Sequence, residues 1–159
     1  MMLPRLLLLC CLLLSGPALA EDAPALSSGQ SLYLPIYSHV YHGDPSNGGK
    51  PSQSLLSAHV SIRNTDSRVP IQVLSARYYD TDGKLVKNYV GSPRTVAPYG
   101  TLELFVPHTD SSGGSGANFI VEWKSDSPAN PPRVEALHAD IRASRTMVFI
   151  TSAHPVIGR

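Results

Sequence analysis

The chain has 159 residues, 42% of them hydrophobic and 16% charged, with 13 lysines and arginines against 12 acidic residues. So even a balance excludes the electrostatic footprint of a nucleic-acid-binding protein or of a polybasic membrane ligand. The length suits one domain with a sizeable core and no need of staples.

The chain opens "MMLPRLLLLCCLLLSGPALA", with Arg5, then an apolar run at 6–14, then small residues at Ala18 and Ala20. That order reads as a secretory signal peptide, 1–20, cleaved after Ala20. The run is about half the ~20 residues a membrane-spanning helix needs, so no transmembrane anchor is expected after its removal. Cys10 and Cys11 leave with it, and Leu9 before Cys10 does not fit a lipidation signal. Residues 21–159 then hold no cysteine, and stability rests on the core although an exported protein is free to form disulfides.

Residues 21–31, "EDAPALSSGQS", are small and polar and read as a disordered leader, with one domain over 32–159. From Leu32 onward the dominant period is two. In "LSAHVSIRN", Leu56, Ala58, Val60 and Ile62 alternate with polar residues; "TLELFV" and "NFIVEWK" repeat the pattern and point Leu104, Phe119, Val121 and Trp123 inward. "IQVLSARYY" changes phase after Val73, and "RVEALHADIR" changes phase between Ala136 and Leu137. A β-bulge at each switch would keep both halves on the core. Asp82-Gly83 signals a two-residue hairpin of type I′. About seven or eight short strands separated by turn signals argue for an all-β, immunoglobulin-like antiparallel β-sandwich.

Two resemblances follow from these segments. "SIRNTDSRVPIQVLSARYYDTDGKLV" with "VAPYGTLELFV" resembles the Asn…Tyr-Asp…Gly-Lys hairpin pattern of small secreted immunoglobulin-like domains. "YSHVYHG", "SIRNTD", "YYDTDGKLV" and "SGGSGANFIVEW" together look like a bacterial exported family of unknown function, DUF3124. The likeness implies fold and export, and it brings no catalytic residue with it.

Candidate chemistry is sparse. The glycine loop "SGGSG" at 112–116 lacks the spacing of a nucleophile elbow around Ser115 and leads into a strand, where a nucleophile elbow or a phosphate loop needs a helix. Its backbone N–H groups suit an anion nest, but the simpler expectation is a mobile connector that tolerates insertion. Histidines stand at 39, 42, 59, 108, 138 and 154. His39 and His42, three apart on a strand, point to opposite faces and do not chelate one metal. "DTDG" lacks the third ligand of a calcium loop and reads as a turn.

In "LYLPIYSHVYH" one continuous strand would place Tyr33, Tyr37, His39 and Tyr41 on one face, and Pro35 favours a sheet edge. The leading expectation is an exported, periplasmic or secreted, non-enzymatic module. It binds a protein or small ligand through Tyr33, Tyr37, His39 and Tyr41, with Ser115 and Asn118 nearby. No catalytic residue, cofactor, metal ligand or nucleic-acid partner is assigned. The alternative is a metal-handling or hydrolytic periplasmic protein using His39, His42 and the 110–118 loop.

Overall fold

The computed structural model describes residues 25–45 and 49–157; the expected signal peptide lies outside them. Twelve strands are formed among the described residues. They are β1 (Ser27–Ile36), β2 (His39–His42), β3 (Ser52–Leu55), β4 (Ser57–Arg63), β5 (Ile71–Tyr79), β6 (Leu85–Asn88), β7 (Arg94–Val96), β8 (Thr101–Val106), β9 (Ala117–Ala129), β10 (Arg133–Arg142), β11 (Arg145–Ser152) and β12 (His154–Pro155). One sheet runs β12-β1-β9-β5-β6 with β7 also on β5, the second runs β11-β10-β4-β8, and β2-β3 form a separate ribbon. Every pairing is antiparallel. The strands beyond the expected seven or eight are short ones, such as β3, β7 and β12.

The inner faces of the two larger sheets form the core of the sandwich. β9 lies between β1 and β5 and sends Phe119, Val121 and Trp123 inward, as alternation requires, with Leu34, Ile36, Val73 and Tyr78 beside them. From the other sheet come Ala58, Val60, Ile62, Val106, Val134 and Ala136. Each fully buried large side chain contributes about 1.5–3 kcal/mol.

In β5 the pairing with β9 shifts between Val73 and Ser75, so Leu74 is the extra residue and Ala76 and Tyr78 return to the core. This is the bulge that the phase change in the sequence implies. The Asp82-Gly83 turn differs from expectation: Gly83 has φ 78° but Asp82 does not have positive φ. The Gly83 N–H donates to the Asp80 carbonyl and the Asp80 N–H to that of Lys84, while the Asp80 carboxylate accepts from Asp82 and Lys84. A side chain that holds the turn from position 80 makes a longer, three-residue loop with glycine at its one left-handed position. The leader is also shorter than expected. Residues 27–31 form the first half of β1, paired to β9 with a bulge between Ser27 and Gly29.

The "NTDSRV" segment is a structural clasp. Buried Asn64 donates from Nδ2 to the carbonyls of Val69 and Val96 and accepts the Asp66 N–H at Oδ1. Asp66 accepts backbone N–H bonds from Val69, Arg68 and Asn130, which hold its carboxyl down to about 2.

Candidate functional site

The aromatic stripe expected from 33 to 41 does not exist as one surface. β1 stops at Ile36, and Ser38 is pinned where the chain turns: its N–H donates to the Gly114 carbonyl, its carbonyl accepts the Leu56 N–H, and its hydroxyl meets the Tyr78 hydroxyl at 2.8 Å. Tyr33 is exposed on the outer face of β1. Tyr37 turns the other way and packs edge-on against His138 and Phe149. His39 is buried and Tyr41 exposed in the β2-β3 ribbon, edge to face at 4.9 Å. Pro35 meets the sequence expectation: among the described residues β12 pairs only with Leu32 and Tyr33, so β1 is an edge there at Pro35, whose carbonyl accepts from the Thr151 hydroxyl.

Ser115 is half-buried within the glycine loop, and Asn118 sits in the ladder of the first sheet opposite Pro35 and Tyr79. The loop is fitted against its surroundings, which corrects the expectation of a free connector. The Gly113 carbonyl accepts from the N–H and hydroxyl of Thr81, the Gly116 N–H donates to that hydroxyl, and the Gly114 carbonyl accepts from Ser38. A Cβ at Gly113 would collide with the Tyr78 hydroxyl, and Gly114 has φ 78°. These backbone groups are turned toward protein partners. His42 bonds elsewhere, to Ser54, and His39 shares no hydrogen bond with the loop among the described residues, so the alternative trio is not assembled. No group of three or more metal-ligating side chains forms among them either.

The decisive departure is β10. It carries no bulge: it pairs regularly with β4 on one side and with β11 on the other. Strict alternation therefore continues Val134 and Ala136 inward as His138 and Asp140, and turns Leu137 and Ile141 outward. The polar pair is accommodated at the inner end of the strand. His138 is fully buried, stacks on Phe149 at 4.7 Å and accepts the Tyr37 N–H at Nε2 (3.1 Å). That bond places the ring proton on Nδ1, and burial pushes the imidazole down to about 4.

Asp140, also buried, is clamped between two guanidinium groups, Arg142 Nε at 2.7 Å and Arg145 Nη2 at 2.8 Å, with His108 Nε2 at 3.6 Å. The hydrogen bond from Arg142, joined by that from Arg145, holds its carboxyl below the usual range. Arg145 also donates to Ser54, which bonds His42, and so ties the β10-β11 hairpin to the β2-β3 ribbon. The imidazole is thus sealed and neutral, and the carboxylate is held by two guanidinium groups.

The consequence lies on the opposite face of the same sheet. Phe105, Leu137, Ile141, Val148 and Ile150 are 57, 40, 73, 48 and 61% exposed. By register Phe105, His59, Leu137 and Ile150 form one row across four strands, with His59 between Phe105 and the rest; Ser57, Ala139 and Val148 form the next row, and Ile141 stands beyond. Two shallow depressions flank this patch, about 190 Å³ beside His59, Glu103 and Glu135 and about 390 Å³ beside Ser57, His108 and Ile141. On the first side lie paired charges, with Glu135 bonded by Arg63 and Arg133 and His59 beside Glu103. A third cleft, about 760 Å³, opens at the far end between Gln30, Leu32, Thr65 and Val134 and contains neither carboxylate nor histidine. Sequence reasoning missed the apolar face because it sent Leu137 and Ile141 to the core; uniform period two over 134–140 was the signal available.

The family model described as a protein of unknown function, DUF3124, matches residues 29–156, and the chain belongs to that family. No curated protein matches it. Among solved structures, that of Thermotoga maritima 1070 is similar at a TM-score of 0.42 and 12% identity, covering 79% of this chain and 92% of that one. No helix among the described residues is long and apolar enough to cross a membrane.

Proposed function

We propose that this protein is an exported, non-enzymatic β-sandwich module that docks a protein through the outer face of the β11-β10-β4-β8 sheet. The observation that carries the reading is the exposure of five large apolar side chains on one sheet face, with Leu137, Ile141, Val148 and Ile150 grouped on β10 and β11 and Phe105 in the same row across His59. The apolar surface is on the order of 500 Å², within the roughly 300–600 Å² of the largest patch on a typical monomer, and that largest patch is often functional. An apolar centre with charged pairs beside it is the anatomy of a protein interface. Export rests on the Arg5, apolar-run and Ala18/Ala20 pattern of the leader.

Site-specific photo-cross-linking tests the docking. A benzophenone amino acid replaces Phe105 or Val148 in cells that make the protein, with Tyr33, exposed on the other sheet, as the control. Protein adducts from 105 and 148 and none from 33 support the reading; no adduct from either face position overturns it. N-terminal sequencing of the mature protein tests export, with Glu21 expected first and Met1 contradicting it.

A further inference from the structure

We infer that the occupant of this face is a second copy of the chain, packed outer sheet to outer sheet about a twofold axis. This rests on the docking reading above and names its partner. A twofold interface uses one patch on both partners, so the patch must not repel itself. Here the neighbouring charges are of both signs: Arg63 and Arg133 pair with Glu135 within the chain, and Glu103 lies beside His59 at 3.3 Å. They offer nothing to select a strongly charged partner and nothing to exclude a like one.

Shape points the same way. The face is four regularly paired strands, β11-β10-β4-β8, and a sheet face of that kind is complementary to another sheet, as in the aligned packing of sandwich cores. The mode of contact follows from what must be covered. Pairing two copies edge to edge along β11 would leave Phe105, Leu137 and Ile141 in water, whereas packing face to face buries them with Val148 and Ile150. The ~500 Å² of apolar surface makes up more than half of the ~800 Å² per partner of a standard stable interface, and the polar rim beside it has to supply the rest.

Analytical ultracentrifugation of the purified mature chain across about 1 to 100 μM tests the inference. The wild type should sediment as a dimer. The pair Val148→Thr with Ile150→Thr, chosen to keep β-branched side chains in the strand, should weaken the dimer at least several-fold with an unchanged circular dichroism spectrum. Ile150→Lys should abolish it, and Tyr33→Lys should leave it intact. If Ile150→Lys fails to fold, the threonine pair alone decides. A wild type that stays monomeric throughout overturns the inference, as does a dimer indifferent to the threonine pair. The mass of the cross-linked adducts separates the two levels of the argument. Adducts of twice the chain mass support the second copy; adducts only to another protein overturn it and leave docking standing; no adducts overturn both.

Discussion

Replacing His138 by glutamine should flatten the acid side of the stability curve. In the folded chain burial pushes this imidazole down to about 4, while in the unfolded chain it titrates near 6.5. Between those values the unfolded state binds a proton that the folded state refuses, so the free energy of unfolding falls as the pH falls. The contribution is therefore fully present above pH 6.5, is lost progressively down to about pH 4, and changes no further below. At 1.36 kcal/mol per pH unit the window is worth about 3 kcal/mol. Asp66 acts lower, between 3.8 and about 2, and so does not blur it. Glutamine keeps an acceptor for the Tyr37 N–H and cannot titrate, but it gives up the stack on Phe149, so it should start about 1 kcal/mol less stable at neutral pH. The assay is urea unfolding in half-unit steps from about pH 7.5 to 4.5 at constant m. The wild-type advantage should shrink and reverse toward the acid end. Parallel curves would refute the reasoning, because they would mean that water reaches His138, and then Leu137 and Ile141 are not the outward residues of β10.

The fitted glycine loop predicts that Gly113→Ala, which drives a methyl into Tyr78, costs about 1–3 kcal/mol in denaturant unfolding; a neutral result would mean the loop is not docked. Tyr99 holds φ 60° after Pro98 in a turn closed by the Gly100 N–H on the Ala97 carbonyl, a position made for glycine or asparagine. Tyr99→Asn should therefore raise stability by about 0.5–1 kcal/mol, and a loss would argue that the exposed ring packs on something. Trp123→Ala should cost about 3–5 kcal/mol, and an unchanged unfolding midpoint would contradict its inward place in β9.

The strands that were legible in the sequence are those where apolar and polar residues alternate without competition. Ala58, Val60 and Ile62 in β4, and Phe119, Val121 and Trp123 in β9, are inward as alternation requires. A bulge near Val73 was legible because the apolar phase switches there, although Leu74, which the pattern counts with the inward second half, is the half-buried extra residue. β10 was illegible for a physical reason. Hydropathy ranks Leu137 and Ile141 above His138 and Asp140 for the core; Tyr37, brought in from far along the chain, and Phe149 on the paired strand reverse that order for His138, as do Arg142 and Arg145 of the same hairpin for Asp140. The break after Ile36 carries no glycine or proline, since Ser38 is held by Gly114 and Tyr78 from far along the chain. Likewise a run of small residues looks flexible until Thr81 is seen to bind it. The candidate surface is the sum of such misreadings, a face visible only once the phase of β10 is known.

Thiol accessibility at position 150 in intact cells tests the central claim most directly. Cys10 and Cys11 are the chain's only cysteines, so in a background where both are serine, Ile150→Cys or Tyr33→Cys supplies the one thiol. Labelling with a charged maleimide then compares cells with dilute purified protein. If the outer sheet face is a docking surface, the thiol at 150 reacts several-fold more slowly in cells than in dilute protein, while the thiol at 33 reacts alike in both. Equal rates at 150 in both settings would contradict the claim.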